Sequence, residues 1–126
     1  MEGRLSCRTP KNAPHWEPTA AAISNSVVRL THKYTGRGPT KARTTIADDL
    51  VVVVMADTTL QAERKLVEYG EEESVLAMRG KFQTAMREDL VDVVEEHTGR
   101  KVAAFMSGNH IDPDMGVEVF ILVPAE

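Results

Sequence analysis

Three cations flank two glycines and a proline in the segment GRGPTKAR, residues 36–43. The cations are Arg37, Lys41 and Arg43. Glycine allows successive backbone N–H groups to point into one concavity, and guanidinium groups match the geometry of a carboxylate or a phosphate. The segment, with Gly38 at its centre, therefore predicts a loop that binds a small anion or a nucleotide.

A second interpretation of the same loop needs no ligand. Gly36 is a suitable residue to end the preceding helix, and cations stabilise a helix C-terminus or pair with nearby carboxylates such as Asp48 and Asp49. The loop is not a Walker loop, because the Gly-Lys-Ser/Thr ending is missing and a strand follows it. Both interpretations stay open at the level of sequence.

The segment NHIDPD, residues 109–114, is the second candidate. His110 is followed by carboxylates two and four residues later, a pattern that suits a divalent cation and a metal-dependent hydrolase centred on His110, Asp112 and Asp114. No second cluster of His or Cys supplies further ligands, and no nucleophile for a general base is evident. Asn109, Asp112 and Pro113 equally suit a tight turn closed by side-chain hydrogen bonds. We predict neither a metal site nor a catalytic residue nor a cofactor.

The two segments can form one pocket if they lie at the same end of a sheet. Otherwise an Arg–Asp pair across a dimer interface is the simpler outcome. The predicted ligand-binding residues are Arg37, Gly38, Lys41, Arg43, Asn109, His110 and Asp112.

The elements that must position these residues follow from periodicity. Apolar residues at spacings of three and four predict helices at residues 17–35, 58–69 and 71–98. Thr58 or Thr59 caps the second helix. Gly70 either separates the second and third helices or kinks one continuous helix. Strands are predicted at residues 42–47, 50–56, 101–107 and 117–123, and Asp48-Asp49 is a hairpin turn. The valine run of the second strand predicts a central strand or a dimer interface.

The order α-β-β-α-α-β-β predicts an α+β fold with two layers. Two β-hairpins form an antiparallel sheet, and the helices cover one face of it. The chain of 126 residues fits one domain, at residues 18–126, preceded by a disordered or extended tail at residues 1–17.

Composition excludes several classes of function. The net charge of -4 and the scarcity of aromatic residues argue against nucleic-acid binding. The apolar run at residues 50–56 is far shorter than the roughly 20 residues of a membrane span, so no membrane insertion is expected. Cys7 is the one cysteine, which favours a reducing, cytoplasmic setting.

Three segments carry a resemblance to a known family. They are GRGPTKAR at residues 36–43, TGRK at residues 98–101 and NHIDPD at residues 109–114, and the whole match runs from about residue 23 to residue 122. The chain resembles the MpsC-like family, which is named for a Na+-translocating, membrane-potential-generating system. The resemblance implies a non-enzymatic accessory protein of a membrane system that handles ions or inorganic carbon, peripheral at the inner face of the membrane. It implies no catalytic residues.

These observations predict a homodimeric binding protein with a protein partner in that membrane system. The long apolar strand and the long amphipathic helix offer more apolar surface than one small sheet needs, which favours self-association. The alternatives are the anion or nucleotide sensor and the metal-dependent hydrolase.

Overall fold

The structure, a computed structural model, describes residues 13–36, 41–56 and 59–124. Over these ranges the elements are α1 (Ala13–Thr35), β1 (Lys41–Ala47), β2 (Leu50–Ala56), α2 (Gln61–Glu68), α3 (Glu72–Thr98), β3 (Val102–His110) and β4 (Met115–Leu122). The predicted order α-β-β-α-α-β-β and the α+β fold class are confirmed.

The strands of the described part form one antiparallel sheet with the order β1-β2-β4-β3. Each hairpin contributes one central strand, β2 or β4, and one edge strand. Ala47 pairs with Leu50, so Asp48 and Asp49 make the predicted two-residue turn. Asp48 has a φ of 52°, and a short polar side chain tolerates this left-handed conformation.

The second hairpin is longer than the sequence predicts. β3 continues to His110 and β4 already begins at Met115, because Gly108 and Asn109 pair with Val117 and Gly116. The hydrogen bonds of this ladder outweigh the turn propensity of the individual residues. The connection shrinks to a turn at residues 111–114.

The ends of the helices differ from the prediction at two places. α1 begins at Ala13, so Pro18 lies inside the helix, where it forfeits one backbone hydrogen bond. Thr59 is not the N-cap of α2: Leu60 takes that position, and its N–H donates to the Glu63 carboxylate at 2.8 Å. Gly70, with a φ of 80°, separates α2 from α3.

The helices pack on one face of the sheet, here called the inner face. Alternate residues of the central strands enter the core there, which is the period expected of a strand. The core also takes residues from α1 and α3. Its buried members are Ile23, Val27, Val51, Val53, Met55, Met86, Leu90, Val94, Phe120 and Leu122.

The opposite surface of the sheet, here called the outer face, is apolar as well. The residues of the central strands β2 and β4 that lie on this face are all apolar. None of them belongs to the core cluster of the described part. They retain partial exposure, up to 37% at Met115. We call these eight residues the apolar stripe: Leu50, Val52, Val54, Ala56, Met115, Val117, Val119 and Ile121.

Candidate functional site

The strand register places Lys41 of the GRGPTKAR segment and His110 of the NHIDPD segment at the same end of the sheet. Lys41 pairs with Ala56, Ala56 with Met115, and Met115 with His110, so these residues form one row across the outer face. Arg43 lies in the next row. Arg37 and Gly38 lie outside the described residues.

Sharing an end does not bring the described candidates into one pocket. Lys41 and Arg43 are on the edge strand β1 and His110 is on the other edge strand, β3. With about 4.8 Å between neighbouring strands, these edges lie roughly 14 Å apart. Asn109 is on the inner face, opposite to its neighbour His110.

The NHIDPD segment forms a closed turn. His110 Nδ1 lies 2.8 Å from the carbonyl oxygen of Pro113, and Asp112 is exposed. Asp114 points back into the fold, where its carboxylate accepts a hydrogen bond from the Thr59 N–H at 2.7 Å. The acidic residues of the turn thus have different surroundings.

Arg43 and Lys41 line an open groove beside the edge strand β1. The groove has a volume of about 820 Å³, and Arg29 of α1 also lines it. The rest of its wall includes Ser24, Asn25 and apolar residues of β1, β2 and β4. Three cations from two elements make this the basic concavity of the described structure.

A buried ion cluster lies between α2, α3 and the second hairpin. The Arg79 guanidinium contacts the Glu63 carboxylate at 3.3 Å and the Asp114 carboxylate at 3.5 Å, and it donates to Thr59 Oγ1 at 2.7 Å. The side chains of Arg79 and Glu63 are 8% and 5% exposed. Because removing one partner from such a pair leaves a buried charge uncompensated, the cluster holds these three segments together.

A chain of polar side chains runs along the inner face next to this cluster. The Asn109 amide donates to Gln83 Oε1 at 2.9 Å, and Gln83 Nε2 lies 3.5 Å from Glu118 Oε2. Ser107 Oγ donates to the other oxygen of Glu118. Burial raises the pKa of Glu118 to about 7, although both hydrogen bonds favour the carboxylate and lower this pKa.

A cavity of about 70 Å³ is lined by residues of both the ion cluster and the polar chain. They are Glu63 and Arg79 of the cluster and Gln83, Asn109 and Glu118 of the chain. Its remaining lining is mainly apolar and comes from α1, β2, β4 and the helices α2 and α3: Thr31, Thr35, Met55, Leu60, Phe82, Met86 and Gly116.

Sequence reasoning missed Arg79 and Glu118, and the pattern contained a usable signal for Arg79. Arg79 follows Val75 by four residues and therefore lies on the buried stripe of α3. Glu118 alternates with Phe120 on β4, but a strand that is apolar on both faces does not reveal which face is covered. Of the predicted site residues, Asn109 reaches this cavity.

Two further geometric facts bear on the predicted alternatives. Within residues 13–36, 41–56 and 59–124, no three His, Cys, Asp or Glu side chains are grouped so that they could share a metal ion. The hydrolase centred on His110, Asp112 and Asp114 therefore lacks a ligand cluster. No helix in the described ranges combines the length and the apolar character needed to cross a bilayer.

Fold and site together define a small α+β protein with an antiparallel sheet, helices on its inner face and a cavity lined by both. The family model described as the Na+-translocating membrane potential-generating system (MpsC) matches residues 17–123, and the chain belongs to this family. The resemblance noted from the sequence is confirmed, and it associates this small protein with a membrane system. No curated protein and no solved structure matches the chain.

Proposed function

We propose that the protein is a non-enzymatic accessory module of a membrane system that handles ions or inorganic carbon, and that it acts as a cytoplasmic homodimer at the inner face of the membrane. The observation that carries this proposal is the apolar stripe on the outer face of the sheet. Membership of the MpsC family is the reason for proposing a membrane system as the setting.

The size of the outer face suits a protein interface. Four strands of about seven residues cover roughly 450 Å², and the apolar stripe takes the two central strands, about half of this area. Exposed apolar patches of a few hundred Å² are often functional. Met106, on the adjacent edge strand, adds a side chain that is 51% exposed. Apolar sheet faces commonly pack against another sheet at about 10 Å.

Charge at the two edges is compatible with a second copy of the chain as the partner. Lys41 and Arg43 make the β1 edge of the outer face basic, whereas Met106, Gly108 and His110 line the β3 edge. A two-fold axis parallel to the strands lays the β1 edge of one copy over the β3 edge of the other. This arrangement buries both stripes and keeps the two basic edges apart.

A charge placed at the centre of the stripe tests the dimer. We expect the wild-type protein to sediment as a dimer, and the variant Val119→Lys to sediment as a folded monomer, because the lysine is solvated only in the free subunit. Leu66→Lys is the matched control, since Leu66 is 38% exposed on α2 and away from the sheet. A wild-type monomer, or a dimer that survives Val119→Lys, contradicts this interface.

The accessory role is tested in cells. Deletion of the gene is expected to lower the membrane potential reported by a voltage-sensitive dye. Expression of the wild-type protein or of Leu66→Lys in the deletion strain should restore the membrane potential, and expression of Val119→Lys should not. An unchanged potential after deletion contradicts the accessory role and leaves the dimer measurement unaffected.

The basic groove supports a second candidate function, a sensor of small anions or nucleotides. Arg29, Lys41 and Arg43 supply guanidinium and ammonium donors on one concave surface, and Lys41 and Arg43 belong to the GRGPTKAR segment. A ligand of such a site binds only the folded state and therefore raises the melting temperature of the protein.

A thermal-shift panel of phosphate, sulfate, bicarbonate and nucleotides tests this sensor. We expect stabilisation of the wild-type protein that is lost in Lys41→Ala/Arg43→Ala. The variant Lys65→Ala/Lys101→Ala removes the same charge from exposed sites outside the groove and should keep the stabilisation. A panel without any shift, or equal shifts in both double variants, contradicts the sensor.

A further inference from the structure

Positive and negative charges are segregated along this chain. Residues 1–43 contain eight of the 15 lysines and arginines but two of the 19 aspartates and glutamates, although the chain as a whole is acidic. From residue 18 to residue 47, a range that includes most of α1 and all of β1, the sequence contains no carboxylate. This part of the chain therefore carries positive charge only.

The fold brings the described cations of this range to one surface. Arg29 and Lys33 are exposed and lie one turn apart on α1, and Lys41 and Arg43 are exposed on the edge strand β1. Arg29 lines the same groove as Lys41 and Arg43, so the two elements adjoin there. We call these four residues, Arg29, Lys33, Lys41 and Arg43, the basic face.

The charge of the basic face is not neutralised within the fold. None of its four cations forms an ion pair with a carboxylate of the described residues, and Arg29 donates to the neutral Ser26 hydroxyl at 3.1 Å. By contrast, Arg79, Arg100 and Lys101 each have a carboxylate partner. The positive potential of the basic face is thus available to an external anion.

The distribution of the remaining charge restricts the kind of partner. Residues 44–126 contain 17 of the 19 carboxylates, and the acidic helix α3 contacts β3, at the opposite edge of the sheet from β1. A flat anionic bilayer meets one side of a protein, so it attracts the basic face while most of the acidic surface stays in solution. Nucleic acid fits less well, because neither residues 17–33 of α1 nor β1 contains an aromatic side chain on which bases stack.

We propose that the basic face docks the protein on an anionic phospholipid bilayer, with the phosphates of the lipid headgroups as its ligands. This inference rests on the proposed function, which puts the protein at the inner face of a membrane, and it names the contact that holds the protein there. The apolar stripe stays available to the second copy, because Arg29 and Lys33 lie on α1, on the other side of the sheet.

Cosedimentation with vesicles measures this contact. The full-length protein is mixed at low salt with vesicles of phosphatidylglycerol and phosphatidylcholine in equal parts, or with vesicles of phosphatidylcholine alone. We expect binding to the mixed vesicles and none to the neutral ones. Binding should be lost at about 1 M salt, where the Debye length falls to about 3 Å.

A matched pair of double variants locates the contact on the protein. Arg29→Gln/Lys33→Gln removes two charges from the basic face and should weaken binding to the mixed vesicles by about 30-fold, the effect of two cations near an anionic surface. Arg64→Gln/Lys65→Gln removes the same charge from exposed positions on α2 and should bind like the wild type. Because both pairs are exposed, circular dichroism should show the wild-type helix content in both variants.

The inference is overturned if the wild-type protein does not bind the mixed vesicles, if it binds neutral vesicles equally well, or if both double variants lose binding to the same extent. None of these results changes the sedimentation and membrane-potential measurements that test the proposed function. Conversely, vesicle binding together with an unchanged membrane potential after gene deletion contradicts the accessory role and leaves the lipid contact standing.

Discussion

Glu118 is an ionisable residue in the core of a central strand. It is 3% exposed and faces the helices, where desolvation by burial raises its pKa from 4.5 to about 7. The donors Ser107 and Gln83 oppose this shift without cancelling it. The carboxyl group therefore keeps its proton in the folded state at pH values where the unfolded chain has lost it.

This difference predicts a pH-dependent stability that Glu118→Gln removes. Between about pH 4.5 and 7 the folded state binds one more proton than the unfolded state, so the contribution of Glu118 to stability falls as pH rises and is level above 7. A shift from 4.5 to about 7 corresponds to roughly 3 kcal/mol. Urea unfolding at several pH values measures it as the difference between wild type and variant.

The control for this measurement is Glu96→Gln on the exposed surface of α3. Other titrating groups are the same in all three proteins and cancel in the difference. Relative to wild type, Glu118→Gln should gain stability as pH rises from 5 to 8, whereas Glu96→Gln should not. Parallel pH profiles for wild type and Glu118→Gln contradict the raised pKa.

At the scale of elements, Arg100 joins the end of α3 to both hairpins. α3 stops at Gly99, whose φ of 71° turns the chain toward β3. The Arg100 guanidinium then donates to the Asp48 carbonyl at 2.9 Å, to Asp49 Oδ1 at 2.5 Å and to the Val123 carbonyl at 2.7 Å. The planar group satisfies acceptors from two separate segments at once.

We therefore expect Arg100→Ala to lower the free energy of unfolding by about 2 kcal/mol, the magnitude of charge-assisted hydrogen bonds at a partly buried site. Arg100→Lys should recover little, because an ammonium cannot reproduce the fork geometry. Lys101→Ala, at a side chain that is 82% exposed, is the control and should change stability little. Denaturant unfolding that ranks Arg100→Ala with Lys101→Ala contradicts this role.

At the scale of the whole molecule, the sheet separates two apolar surfaces. The inner face packs against the helices, and the apolar stripe on the outer face has no counterpart among the described residues. The proposed dimer gives this stripe a partner. It also assigns the ends of the strands, with Lys41 and His110, to the rim of the interface.

Dimerisation predicts that the melting temperature depends on protein concentration. If folding and association are coupled, the wild-type melting temperature should rise between about 1 and 100 μM protein, by mass action. Val119→Lys should melt at a lower temperature that does not change with concentration. Differential scanning fluorimetry over this range measures both, and a constant wild-type value contradicts coupled association.

The sequence by itself determined the local features of this protein. Periodicity predicted the order of elements and a helix that ends at residue 98, and Asp48-Asp49 predicted the hairpin turn; all three are confirmed. Each depends on the conformational preference of neighbouring residues, which a short window of sequence contains.

The tertiary structure alone decided which residues meet. The order β1-β2-β4-β3 separates Arg43 from His110, although their loops share an end of the sheet. It also brings Glu118 beneath α3 and encloses Arg79 between segments far apart in the chain. Strand pairing and burial result from contacts between distant residues, so no local pattern could specify the cavity that those contacts create.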